Sequence, residues 1–127
     1  MKKLLLAAIA VSIVSQAAEL VINVPSGGST DLDAALSALT GYVTQPSREG
    51  LNGGAYAAYD IRKTGSGTLV FPKDKFLATW TGNLYVDAGI VEAQVNCQEP
   101  QYVNLLGKPE NGGVYVAPNA TLYVNTD

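Results

Sequence analysis

Gly82-Asn83-Leu84-Tyr85-Val86-Asp87-Ala88-Gly89-Ile90-Val91 returns 30 positions later as Gly112-Gly113-Val114-Tyr115-Val116-Ala117-Pro118-Asn119-Ala120-Thr121-Leu122, with one residue inserted in its turn. Both copies read as a turn, an apolar-Tyr-apolar strand, a tight turn and a second strand. Side chains alternate across a strand, so Leu84, Val86, Val114 and Val116 point to one face while Tyr85 and Tyr115 point to the other. The Gly or Asn between the two strands suits a positive-φ corner. One coil stacked on the next places Tyr85 and Tyr115 about 4.8 Å apart on the outer surface, as a ladder of like side chains.

Working outward, further β-like runs lie at 68–71, 90–93, 102–105 and 121–124, separated by Gly, Asn or Pro turns. Many short strands without helix between them close as a sandwich, a barrel or a solenoid, and the internal repeat points to the last. Before residue 55 the pattern differs. Residues 20–24 read as one strand stopped by Pro25. Thr30 then caps a helix over about 31–40, with Asp31 and Asp33 in its first turn, Leu32, Leu36 and Leu39 on one face, and Gly41 as its stop. Residues 41–54 read as an irregular connection.

The N-terminus carries an export signal. Lys2 and Lys3 precede a run of apolar or small residues over 4–14, and Ser15-Gln16-Ala17 places small side chains at −3 and −1, so cleavage is expected after Ala17. Eleven residues rise only about 16 Å as a helix, half the apolar thickness of a bilayer, and no later stretch is long enough to span one. The expected organisation is a signal peptide at 1–17, an N-terminal strand, helix and connection at 18–54, and β repeats at 55–127.

Composition excludes whole classes of chemistry. The 127 residues contain no His and one Cys. His-based acid/base catalysis, Ser-His-Asp and Cys-His arrangements, His metal sites and intramolecular disulfides are therefore unavailable. Removing 1–17 leaves six basic against eleven acidic side chains, which disfavours nucleic acid as a partner, as does the lack of any basic cluster beyond Arg62-Lys63. Cys97 reads as a small buried hydrophobe.

The segment Ile61-Arg62-Lys63-Thr64-Gly65-Ser66-Gly67-Thr68-Leu69-Val70, followed by Trp80-Thr81-Gly82-Asn83-Leu84-Tyr85-Val86-Asp87-Ala88-Gly89-Ile90-Val91, resembles the autotransporter-associated β-strand repeat, also called the passenger-associated transport repeat. Lys63, Gly65, Gly67, Thr68, Leu69, Thr81, Gly82, Val86 and Gly89 occupy matching places, and Val91 replaces the closing leucine. The resemblance covers residues 61–93, with a weaker second pass at 112–124. It implies an all-β fold, a right-handed parallel β-helix, exported and displayed or released at the bacterial cell surface. Family members are usually longer and often end in a membrane barrel, so a short or truncated member is expected. The architecture expected is two to three coils over 55–127, with the helix at 31–40 as a cap over the N-terminal end.

Each chemical motif has a plainer alternative. Lys63-Thr64-Gly65 matches an element of penicillin-binding enzymes, but no Ser has Lys three residues on, so a turn at a strand end is the better reading. Gly27-Gly28-Ser29-Thr30-Asp31 is explained by a helix start rather than a calcium loop. A pectate-lyase-like enzyme acting on polysaccharide is the alternative function, and would draw on Arg48 or Arg62 with Asp60, Asp74 or Asp87. These carboxylates are scattered, so no enzymatic activity, cofactor or metal is expected. A stacking surface of Tyr85, Tyr115 and Trp80 is the candidate carbohydrate site, against the reading of outward tyrosines that pack on each other across coils. The expected function is a structural or adhesive surface element. Residues 121–124 carry no charge, with Asp127 their nearby gatekeeper, so this edge is expected to recruit a second copy or to aggregate.

Overall fold

Apolar side chains at alternate positions organise the described strands, apart from one short Ser-Thr-Asp strand. The computed structural model describes residues 18–39, 46–73, 77, 79–95 and 113–126. Its strands are β1 (Glu19–Asn23), β2 (Ser29–Asp31), β3 (Asp60–Thr64), β4 (Thr68–Phe71), β5 (Leu84–Val86), β6 (Ile90–Val95), β7 (Val114–Val116) and β8 (Thr121–Thr126). Two helices, α1 (Leu32–Ala38) and α2 (Arg48–Leu51), lie between β2 and β3. The expected signal peptide, Gly41, Asp74, Cys97, the strand expected at 102–105 and Asp127 fall outside the described residues.

The protein is β-rich, with two four-stranded parallel sheets ordered β1-β3-β5-β7 and β2-β4-β6-β8. Each odd strand turns a corner into the next even one, and the resulting strand pairs stack in register. Leu84 pairs with Ile61 below and Val114 above, and Val91 pairs with Leu69 and Leu122. Residues 84–86 therefore pair in parallel with neighbouring units and form no hairpin with 90–93. The stack extends further than expected, because β1 and β2 pair in parallel with β3 and β4 and make a first unit, well before residue 55. Two helices inserted between this unit and the next obscure the repeat.

The inward columns make one core: Leu20, Ile61 and Leu84 in the first sheet, Leu69 and Val91 in the second, then Ile22, Val86, Phe71 and Ala93. Each Leu, Ile, Val or Phe among them removed from water contributes about 1.5–3 kcal/mol. At the first unit α1 adds Leu32, Ala35 and Leu36 to the same core. Its cap is Asp31, whose carboxylate accepts from the Ala34 N–H at 2.8 Å, so the expected cap Thr30 is instead a residue of β2. The reason is geometric: β2 stays extended through Asp31, which leaves that carboxylate facing the first free amides. Within the connection read as irregular, Ser47 caps the one-turn helix α2, which buries Leu51.

The corners differ too. Gly27, Gly65 and Gly89 turn the first three units with φ of 79°, 79° and 68°. Among the described residues no other type adopts positive φ, so Asn119 does not. The inserted residue lets Pro118 occupy the second position of a four-residue turn closed by Ala120 N–H to Ala117 O at 3.0 Å, and this turn needs no left-handed residue.

Candidate functional site

Register brings Val21, Arg62, Tyr85 and Tyr115 into one outward column of the first sheet. The Tyr85 and Tyr115 rings stack with centroids 5.2 Å apart and planes 17° from parallel. This is the expected ladder. On the other face of Tyr85 lies the Arg62 guanidinium, 4.4 Å from the ring centroid. Arg62 Nε donates to Glu19 Oε2 at 3.1 Å and Nη1 donates to both oxygens of Asp87 at 2.8 Å. The Asp87 hydrogen bond, then that of Glu19, raises the Arg62 pKa above its ordinary value. One planar cation thus ties three successive units together.

Trp80 does not belong to this surface. It is 1% exposed, and its indole N–H donates to Tyr59 O at 2.7 Å. The neighbouring Thr81 N–H and hydroxyl both bond Ala57 O, folding the connection back onto the preceding unit and carrying the indole inside. Both faces of Tyr85 are covered, by Arg62 and by Tyr115. Within this column the ring left with an open face is Tyr115, 55% exposed. A flat platform for a sugar ring needs exposed faces, so at Tyr85 the column offers cross-strand packing and at Tyr115 a single open ring face.

Because Trp80 is the single tryptophan, its burial is directly readable. Native fluorescence is expected to be blue-shifted and poorly quenched by acrylamide, and unaltered by soluble polysaccharide. Red-shifted, readily quenched emission would return Trp80 to the surface. Arg62→Ala is expected to lose about 1 kcal/mol in urea unfolding, a modest figure because the ion pairs are part-exposed. A loss that vanishes in high salt would assign it to the carboxylates, and one that persists to the ring.

Lys63, read in the sequence as a repeat-motif residue at a strand-end turn, has its side chain inside the stack. It occupies an inward position between Ile22 and Val86 and is fully buried. Its ammonium donates to Thr64 O at 3.1 Å, to Ala88 O at 2.9 Å, and to Gly65 O. Three donors meet three carbonyls at the corners of two adjacent units. Burial lowers the Lys63 pKa from its ordinary 10.5, since carbonyl dipoles replace hydration incompletely. The sequence signal was the charge itself, at an alternation position reserved for an apolar residue.

Polar side chains stack as well. Asp60 Oδ1 accepts from Asn83 N–H at 2.8 Å, and Asn83 Oδ1 accepts from Gly113 N–H at 2.9 Å, so each unit satisfies the backbone of the next. Asn125 donates to Glu92 at 2.9 Å on the second sheet. Asp60, Asp87 and Glu92 are therefore engaged in separate contacts, and among the described residues no three acidic or Cys side chains gather to hold a metal. No described helix is long and apolar enough to cross a membrane. Compared with family models, curated proteins and solved structures, the chain matches none.

Proposed function

We propose that the chain forms a right-handed parallel β-helix that serves as an exported structural or adhesive element at the bacterial surface. The observation that carries this reading is the in-register parallel stack of four corner-linked strand pairs. Parallel strands joined through a crossover in one sheet take the right-handed path in about 98% of cases. The side chains spent on the stack support a scaffold. Arg62, Lys63, Asp60 and Asn83 all bond the adjacent unit rather than converge on a pocket. The resemblance to passenger repeats agrees with this, since Lys63, Gly65 and Gly89 stand together at the corners.

Export rests on the basic, apolar and small-residue order of residues 2–17. A carbohydrate-binding role has the open face of Tyr115 in its favour and is the second reading. Contact with a second copy is supported by the last unit, whose inward Val114, Val116 and Val124 are 39%, 43% and 52% exposed. Their counterparts one unit earlier, Leu84, Val86 and Ala93, are at most 1% exposed. Fractionation of the producing bacterium with N-terminal sequencing tests the assignment. The expected result is a chain beginning at Ala18 outside the cytoplasm. An intact chain beginning at Met1 and retained in the cytosol would overturn it.

A further inference from the structure

The two ends of the stack are unlike, and the difference specifies how a second copy docks. At the last unit, β7 and β8 have strand neighbours on one side only among the described residues, carry no charged residue, and leave apolar side chains in water. At the first unit the core is closed. Leu20 and Ile22 are 0% and 3% exposed, and α1 shares their core. Beside that closure runs a groove of about 520 Å³ along β1, lined by Val21, Ile22 and Thr30 on the strands and Ala34, Ala35 and Ala38 on α1. Val21, at the start of the outward column, is 43% exposed.

We infer that the Val114–Val116 strand of one copy lies in this groove of the next, so that copies join head to tail. The inference rests on the reading that the chain self-associates, and adds which surfaces meet. Parallel pairing of β7 with β1 continues the geometry of all six pairings inside the chain. In the same register Val114, Tyr115 and Val116 stand opposite Leu20, Val21 and Ile22. Val114 and Val116 then face the alanines of α1, whose small side chains leave the groove its depth. Tyr115 lays its open ring face on Val21, an aromatic and β-branched pair of the kind that stabilises neighbouring strands. Charge agrees. Glu19, already paired with Arg62, and Asp31, the cap of α1, meet no like charge on the uncharged strands of the other copy, whereas joining two first units would bring these carboxylates together. Because the two surfaces are different the contact is heterologous, and because it repeats the axial step of the chain's own parallel stack it does not turn back on itself, so successive copies form an open chain.

Sedimentation velocity of the purified protein over a concentration series tests this with two variants and their mixture. Val116→Lys spoils the strand and keeps the groove, whereas Ala34→Arg spoils the groove and keeps the strand. Both positions are exposed, and circular dichroism with urea unfolding checks that each variant folds. The wild type is expected to form a ladder of growing species. Each variant alone is expected to be monomeric, and an equimolar mixture is expected to stop at a dimer with one intact joint. Tyr115→Lys paired with Val21→Lys repeats the design at independent positions, should either first variant fail to fold. If Ala34→Arg and Val21→Lys associate like wild type, the groove is not the docking surface, although self-association survives. A wild type that closes as a dimer, or a mixture that yields none, overturns head-to-tail joining. A wild type that stays monomeric at all concentrations overturns self-association as well.

Discussion

Lys63→Ala is expected to destabilise the protein by about 4 kcal/mol, a large share of a total stability that for a small domain is of order 5–15 kcal/mol. Two losses combine. The truncation empties a space between Ile22 and Val86, and it removes the donor for Thr64, Gly65 and Ala88 carbonyls at two stacked corners. Lys63→Met separates them. It retains most of the volume and spares the cost of a buried charge, so a smaller loss of about 1–2 kcal/mol is expected. The two proteins also differ in pH dependence. Because the folded Lys63 pKa lies below 10.5, between these two values the unfolded chain binds a proton that the folded one does not. Wild-type stability relative to Lys63→Met therefore rises as pH rises through that window, and is lowest below it. Urea midpoints of both proteins from pH 7 to 10.5 measure the difference. A constant gap would mean that burial does not perturb the ammonium.

The parts of this fold legible beforehand are those set by local alternation. Leu84-Tyr85-Val86 and Val114-Tyr115-Val116 have the same alternation, with corners that differ by one residue, and their parallel register with the Tyr85–Tyr115 stack follows from the repeat. Units with unequal connections were harder. Leu20 pairs with Ile61, 41 positions away and across two helices, whereas Ile61 pairs with Leu84 after only 23. No fixed period spans such insertions, so the first unit looked like a lone strand before a helix.

The candidate surface was half legible for a related reason. Tyr85 and Tyr115 lie within strands, where alternation dictates their face. Trp80 lies in a connection, where tertiary hydrogen bonds decide, and proximity to Tyr85 in sequence said nothing about its direction. Gly82 held the one local hint. A Cβ there would sit 1.9 Å from Tyr59 O, so the chain passes too close to the preceding unit for a surface loop. Lys63 shows the converse, a charged residue whose position in the alternation was a better guide than its chemistry.

Gly65→Ala and Gly27→Ala are expected to separate the strain of a corner from the closeness of the stack. Both glycines have φ of 79°, a conformation that costs an L-residue roughly 1–2 kcal/mol. Their surroundings differ. A Cβ on Gly27 meets nothing within 4 Å, because the first corner has no unit beneath it among the described residues. A Cβ on Gly65 would lie 2.2 Å from Val24 O and 2.8 Å from Val24 C. That carbonyl cannot easily retreat, since it accepts from Gly67 N–H at 2.9 Å while Val24 N–H donates to Thr64 O at 3.0 Å. Gly27→Ala should therefore lose only the conformational term, about 1 kcal/mol, whereas Gly65→Ala must also push two corners apart and is expected to lose 3 kcal/mol or more, at roughly the scale of a broken core contact. Urea unfolding with unchanged slopes measures both. Equal losses would mean that backbone strain alone makes these residues glycine. A large gap would locate the cost in the contact between the first and second units, which Arg62 also ties from outside through Glu19, while Lys63 bonds the second unit to the third from inside.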